Sequence, residues 1–511
     1  MFDELDPYNY TSGRWLNRDQ LQRDARFVEF KFSALCKKVL QLCPGAHEIT
    51  SCEKKEGGFN RVFIFTMNNG DRIVARVPFR IAGPERLTTH SEVATMAYIC
   101  QHTDILVPKI LEWNDNKTNS IGTEYIIMEH APGVQLHGEW PKMNPVQHMR
   151  CVRALAKTIK SMAALSFPAY GRIYFADAQL DPHTTIPLGD FCIGPNCMRE
   201  YWDCNPGESR YYQQRKLNNG PYKFPFNIAT QYDQGFSRIP GAEAALKSEP
   251  SYRGSVKEHH RLLSHSTEVI GALQESSLLQ NLSTPTLLHV DLHKRNIFVS
   301  EDDPTTITSI IDWQSTSIEP AFAYANETPD LINTNSVLAS ILAAAGQEVT
   351  PEDPDEGPEM TEKLKAIQKD EWGCYQTHDQ NLLRPLRYCG TSWRDGAAAT
   401  RQELIDLSKR WNEIGLPGKR PYQPSPEELA AHTPEYDEFE MRQGFKSLIK
   451  EMIGTDSEGW VHPEDWEAAK ETHKDAFEWW LQDADESDEP GISAEYIKKL
   501  WPFDIEEKET K

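Results

Sequence analysis

The sequence predicts an α+β protein of two unequal lobes, a small antiparallel sheet followed by a larger, mainly helical part. Three observations carry this. Residues 48–79, "EITSCEKKEGGFNRVFIFTMNNGDRIVARVPF", hold three β-rich runs separated by a Gly-Gly turn and an "NNGD" turn. Residues 146–165, "VQHMRCVRALAKTIKSMAAL", open a series of segments with helical periodicity. At 511 residues, with 39% hydrophobic and 26% charged side chains, the chain is long enough for two or three domains and a sizeable core.

The elements follow in order. "FVEFKFSALCKKVLQLCPG" reads as a helix stopped by Pro44-Gly45, which makes 1–46 an N-terminal helical extension. Residues 47–131 form the small lobe: the three runs, then a helix at about 89–101 with Val93, Met96, Ala97 and Cys100 on one apolar face, then a strand in "TEYIIMEHAPG" (123–133). Residues 132–340 form the larger lobe. Within it, about 171–250 shows little periodicity and reads as an insertion. "SVKEHHRLLSHSTEVIGALQESSLLQN" then returns to helix, and "NIFVS" and "ITSIIDWQ" are short strands around a turn. Residues 341–511 are an acidic helical C-terminal extension, with "PEDPDEGPE" (351–359) and "QDADESDEP" (482–490) as solvated charge runs.

Charge and composition exclude some classes. The formal net charge of −23 argues against a nucleic-acid binder, which carries a basic face. It is compatible with a cationic substrate, although solubility alone explains it. No stretch approaches the ~20 apolar residues of a membrane-spanning helix. Ten cysteines occur without a C-x-x-C pair. The cluster Cys192, Cys197 and Cys204 is looser than paired zinc ligands, so buried free thiols in a reducing compartment are expected. "MFDELDPYNY" has Asp3, Glu4 and Asp6 but no Lys or Arg, and no apolar signal core, so the expected location is cytoplasmic.

The chemistry concentrates in "LHVDLHKRNIFV" (288–299) and in Asp312, which ends an apolar strand. Two strands joined by a short turn bring Asn296 and Asp312 to the same end of a hairpin. Two such oxygen donors suit a hard cation such as Mg²⁺ and leave its other positions to water and phosphate. Asp291, upstream in a turn, is placed to orient an attacking hydroxyl or take its proton. That division of labour is the one phosphoryl transfer uses. His289 is read as a brace for the loop. In the small lobe, Gly57 and Gly58 put a turn without Cβ atoms where backbone amides can approach phosphates. Arg76 is a lone cation in an apolar strand, and Glu92 is its candidate partner. Thr89 and Glu92 also fit a helix capping box, and the two roles are not exclusive.

"HVDLHKRNIFV" together with "IIDWQ" resembles the aminoglycoside phosphotransferase-type kinases, whose pattern runs H-x-D-x-H-x-x-N-I and then I-D-W. More narrowly, "NYTSGRWL", "EGGFNRVF", "SEVATM", "IIMEHAPGVQLHGEW" and "FCIGPNC" are similar to a fungal branch, the altered inheritance of mitochondria proteins. The resemblance covers roughly residues 7–340. It implies a bilobal protein-kinase-like fold with ATP between the lobes, Mg²⁺ on Asn296 and Asp312, and Asp291 as the catalytic aspartate. It also implies a linker at 128–131 that meets adenine, with Met128, Glu129 and Ala131 as contacts, and His293 as the family's second histidine. The family's cation is often Lys; here it is Arg76, bulkier and forked. The expected function is ATP- and Mg²⁺-dependent transfer of a phosphoryl group to a hydroxyl of a small molecule. The alternative is a catalytically inactive nucleotide-binding scaffold, which Arg76 favours. The same resemblance makes a mitochondrial location the alternative to a cytoplasmic one.

Overall fold

A computed structural model describes residues 5–197, 251–277, 280, 283–321, 392–416, 418–486 and 493–505. Most of the predicted insertion, the acidic run at 351–359 and Cys204 lie outside the described residues.

The chain opens with β1 (Arg14–Trp15), α1 (Asp19–Ala25) and α2 (Phe32–Gln41). The N-terminal extension is therefore not purely helical. The helix expected over "FVEFKFSALCKKVLQLCPG" begins only at Phe32, because Val28 and Lys31 spend their N–H groups on the carbonyls of Tyr8 and Ile121.

The small sheet consists of β2 (Ile49–Glu56), β3 (Asn60–Met67), β4 (Arg72–Pro78), β5 (Ile110–Asn114) and β6 (Tyr125–Glu129). The order is β2-β3-β4-β6-β5, antiparallel throughout. Central β3 is buried over most of its length, consistent with its run of Val, Phe, Ile and Phe. The β3–β4 turn depends on Gly70 at φ +88°, a conformation that disfavours any Cβ. One face of this sheet packs Phe63, Phe65 and Ile127 against Leu35 and Val39 of α2.

Helix α3 (Leu87–His102) departs from the one-faced helix expected. Val93 and Met96 are buried, but so are Thr88, Ser91, Glu92, Thr95 and Ile99, and Cys100 is exposed. The helix lies between the small sheet and the larger lobe and is enclosed on both sides, which erases a single apolar stripe. The capping box does not form. The helix starts at Leu87, and the Thr89 hydroxyl donates to Glu124 at 2.6 Å.

After β6 the chain crosses to β7 (Val134–Gln135) and then α4 (Pro145–Ala163), capped by Asn144 and Gln147 in a reciprocal box. The stretch read as irregular begins with a three-stranded antiparallel sheet, β8 (Arg172–Phe175), β9 (Ile186–Leu188) and β10 (Phe191–Gly194). Its strands are too short for a period-2 signal to stand out. Cys192 and Cys197 are free and buried here, with Tyr174 Oη 3.0 Å from Cys197 Sγ.

Helix α5 (Val256–Gln274) leads to β11 (Pro285–Leu287), β12 (Ile297–Val299), β13 (Ile307–Ile310) and β14 (Ile318–Pro320). β12 pairs antiparallel with both β13 and β7. A large core of Leu155, Ile159, Leu287, Ile297, Ile310 and Trp313 ties these strands to α3 and α4. The C-terminal part adds α6 (Ala397–Arg410), α7 (Pro426–Ile453), β15 (Trp460–Val461), α8 (Trp466–Glu486) and α9 (Ala494–Leu500). A sheet-rich small lobe and a mainly helical larger one make the molecule a bilobal, kinase-like α+β fold. No helix among the described residues is long and apolar enough to cross a membrane.

Candidate active site

Between the lobes lies a cleft of about 710 Å³. From the small lobe it is lined by Gly57, Gly58, Arg76 and Glu92; from the linker by Met128, Glu129 and Ala131; from the larger lobe by Asp291, Asn296 and Asp312. Every residue singled out from the sequence as catalytic or cofactor-binding faces this one space.

The larger-lobe side is set by the β12–β13 hairpin. Asn296 precedes β12 and Asp312 follows β13, and the Ile311 N–H donates to the Asn296 carbonyl at 2.9 Å, so both stand at the same end. Asn296 Nδ2 donates to Asp291 Oδ2 at 2.9 Å and to the Asp291 carbonyl at 2.9 Å. The amide's oxygen is thereby left as its acceptor atom. His293 Nε2 lies 2.6 Å from the other Asp291 oxygen, Oδ1. The His293 contact lowers the Asp291 pKa against a smaller opposing effect of burial. His289, buried, receives the Asp291 N–H on Nδ1 and donates from Nε2 to the Ile311 carbonyl at 2.9 Å. Burial lowers its pKa, which keeps it the neutral brace these two bonds require. Asp312 holds φ at +66°, one of three non-glycine residues with positive φ among the described residues. Asp tolerates that region better than most, and such backbone is concentrated at functional sites.

On the small-lobe side, Arg76 grips Glu92 with both arms of its guanidinium, a bidentate pair. Burial pushes the Glu92 carboxyl up to about 7, against the pull of Arg76. Arg76 also reaches Asp312 Oδ1 at 3.5 Å and Gln314 Oε1 at 2.9 Å. Gly57 and Gly58 have no steric reason among the described residues: a Cβ at either would meet none of them within 4 Å. Gly133 differs, since its Cβ would lie 2.1 Å from the Val299 carbonyl oxygen and its φ is +84°. There the linker passes directly over β12. The linker is also pinned by His130 N–H to the Arg72 carbonyl at 3.1 Å and by Thr308 Oγ1 to the Pro132 carbonyl at 2.6 Å.

In a chain of net charge −23, this cleft still carries Lys55, Arg72, Arg76 and Arg295 on its walls. Four carboxylates, Glu92, Glu129, Asp291 and Asp312, share those walls, so the cleft is near charge balance where the chain as a whole is strongly acidic.

The residues that sequence reasoning missed are Gln314, Asn60 and Arg172. Gln314 Oε1 accepts from Asn60 Nδ2 as well as from Arg76, and the Gln314 carbonyl accepts from Arg172 Nη1 at 2.6 Å. All three are buried. The Gln directly after "IIDW" was the available signal, but nothing in its spacing points to a partner in the small lobe.

No protein-family model matches the chain. Among curated proteins, a subtelomeric hrmA-associated cluster protein of Aspergillus fumigatus is 28% identical over 476 residues, covering 82% of this chain and 90% of that protein. Altered inheritance of mitochondria protein 9, mitochondrial, from Yarrowia lipolytica is 23% identical over 369 residues, 65% of this chain and 62% of that protein. Among solved structures, an aminoglycoside phosphotransferase from Streptomyces rimosus aligns over 71% of this chain and 98% of its own, at 10% identity and a TM-score of 0.33. An amicoumacin kinase in complex with AMP-PNP and Ca²⁺ aligns over 82% and 95%, at 14% identity and a TM-score of 0.32. The relatives are distant fungal proteins, and the structural likenesses are weak.

Proposed function

We propose that this protein is an ATP- and Mg²⁺-dependent phosphotransferase that moves the γ-phosphoryl group of ATP to a hydroxyl of a small molecule. The observation that carries the reading is the convergence of Asp291, Asn296 and Asp312 at one end of a cleft whose opposite wall presents Gly57, Gly58 and the Arg76–Glu92 pair. The donor set fits the ion. Asn296 Oδ1 and the half-exposed Asp312 carboxylate are hard oxygen donors. Among the described residues no group of three His, Cys, Asp or Glu is placed to hold a metal, so such a site would be completed by phosphate and water, as Mg²⁺ sites often are. Bound there, Mg²⁺ supplies charge neutralisation for the phosphates.

The chain's own residues divide the remaining work. The glycine turn, whose Gly57 N–H is held by the Asn60 carbonyl, offers the Gly58 N–H to phosphate oxygens, and the linker at 128–131 offers backbone to an adenine ring. Asp291, held by His293 and Asn296, aims a carboxylate oxygen at the acceptor hydroxyl and receives its proton.

The test is Mg·ATP binding by calorimetry on wild type and Asp312→Asn. The substitution removes a full charge from the metal site and should weaken binding by at least tenfold, about 1.4 kcal/mol. Undiminished affinity would overturn the metal assignment.

A second reading, a nucleotide-binding scaffold without turnover, is favoured by one observation: the Arg76 guanidinium is committed to Glu92 and Gln314. Wild type that binds Mg·ATP yet transfers phosphate to none of a panel of hydroxyl compounds would support it. Relatives named mitochondrial support a mitochondrial location, and a C-terminal fluorescent fusion that stays diffuse beside a matrix marker would overturn it.

A further inference from the structure

We infer that Gln314 is a positioning residue for the phosphate end of the cleft, one that this chain requires because its small-lobe cation is Arg76. The inference rests on the nucleotide reading above.

A lysine in β4 would bring three N–H donors on one compact, rotatable nitrogen, which can turn them toward Glu92 and toward whatever fills the cleft. An arginine brings a fork of N–H groups, each of which needs an acceptor once buried. Arg76 is 7% exposed, and its Nη2 donates both to Glu92 and, at 2.9 Å, to Gln314 Oε1. That same oxygen takes the Nδ2 of Asn60, itself 7% exposed. Asn60 closes the glycine turn, since its carbonyl accepts the Gly57 N–H at 3.0 Å. Gln314 stands two residues after Asp312, and Arg172 holds its backbone from below. One buried carboxamide oxygen therefore gathers three parts of the site: the glycine turn through Asn60, the cation through Arg76, and the metal loop through its own chain. Oxygen is assigned to the atom facing Arg76 because only an acceptor can meet a guanidinium, and this in turn fixes Asn60 to present its NH₂.

Without that oxygen, two buried donors on the small lobe lose their shared partner. Arg76 then keeps Glu92 but is free to lean on Asp312, already 3.5 Å away, and would compete with a cation for that carboxylate. Gln314 thus acts through Arg76 and not by touching the nucleotide.

The experiment is Mg·ATP calorimetry on four full-length proteins: wild type, Gln314→Met, Arg76→Lys and the double variant, each with its thermal midpoint recorded. Methionine keeps the length of the side chain and removes the acceptor. We expect Gln314→Met to weaken Mg·ATP binding by about tenfold in the Arg76 background and by only about threefold in the Arg76→Lys background, where Asn60 still loses its acceptor but no guanidinium does. Where Gln314→Met does not fold, Gln314→Asn, which retracts the oxygen by one methylene, takes its place in the cycle. Equal losses in the two backgrounds would mean that Gln314 merely packs, and no loss would mean that it is idle; either overturns the inference while leaving the nucleotide reading intact. Wild type that fails to bind Mg·ATP at all would overturn both.

Discussion

Asp291 and Asp312 are the same side chain in two environments, and the proposed function gives them different work. Asp312 sits on left-handed backbone, 41% exposed, beside a cation it barely touches. Asp291 is tied at both oxygens, by His293 and by Asn296. Paired carboxylates with unlike surroundings commonly divide roles in this way. Asp291→Asn keeps the size and most hydrogen bonds but loses the charge that, in the proposed function, receives a proton. Turnover should fall about 10²- to 10⁴-fold while the ATP dissociation constant changes by less than about threefold. Paired turnover and binding measurements decide it, and a variant that turns over a true substrate at the wild-type rate would remove Asp291 from the chemistry. The placement of this group was legible in the sequence because its bonds are local: Asn296 reaches back five residues. Arg76 was legible for another reason, that an unpaired cation in an apolar strand is costly enough to demand an anion. Gln314 was not, since its two side-chain partners lie 254 and 238 residues away and no periodicity carries such a contact.

At the scale of elements, legibility followed exposure. The β3 and β4 strands and α4 announced themselves because turn chemistry or a single buried face marks them. α3 is legible as a helix but its faces are not, because contact on two sides buries Thr and Ser positions that a one-sided helix would expose. The C-terminal helices carry a comparable hidden feature. Arg401 of α6 is shared by Glu258 of α5 and by Glu435 and His432 of α7, and His432 Nε2 donates to Gln402 Oε1 at 2.8 Å. With Nδ1 facing a guanidinium, the ring is held neutral. Burial first, and then Arg401, bring its pKa down to about 4 from the ordinary 6.5. The unfolded chain therefore binds the extra proton more readily. The stability this histidine contributes is complete above about pH 6.5 and is lost as pH falls toward 4, at most about 3 kcal/mol. The urea midpoint of wild type should drop between pH 7.5 and 4.5, and His432→Gln should show a visibly smaller drop. Equal drops would mean that His432 titrates normally in the folded protein.

Across the whole molecule, the sequence pattern separates residues 1–46 and 341–511 as two extensions, and the structure joins them. β1 pairs with β15, with Trp15 opposite Trp460, and Leu16 enters a core with Ile449, Ile453 and Val461. No local pattern foretells a contact between the beginning and the end of a chain. The joint continues to the cleft. The N–H groups of Thr11 and Ser12 donate to Glu56 Oε2 at 2.7 and 3.2 Å, and Arg61 Nε meets Glu56 Oε1 at 2.7 Å, bracketing the Gly57-Gly58 turn from below. At its other end α7, 28 residues or about 42 Å long, is bound to the larger lobe by Glu438 on Ser251 and Phe439 against Tyr252. The C-terminal helices thus reach from the larger lobe to the support of the glycine turn without entering the cleft. Gly13 is the narrowest point of this path: a Cβ there would sit 2.1 Å from Trp460 Nε1, against a rigid ring. Gly13→Ala should destabilise the protein by about 1–3 kcal/mol through overpacking. It should also weaken Mg·ATP binding by roughly three- to tenfold, about 0.7–1.4 kcal/mol, although Gly13 does not line the cleft. In a Trp460→Ala background the same substitution meets no ring, and its cost should shrink to under about 0.5 kcal/mol, because the two sites are coupled through one contact. Urea unfolding and calorimetry on the two single variants and the double give both terms. Costs that simply add would show that the indole is not what Gly13 accommodates. An unchanged Mg·ATP affinity in a destabilised Gly13→Ala would show that the arm supports the fold and not the glycine turn.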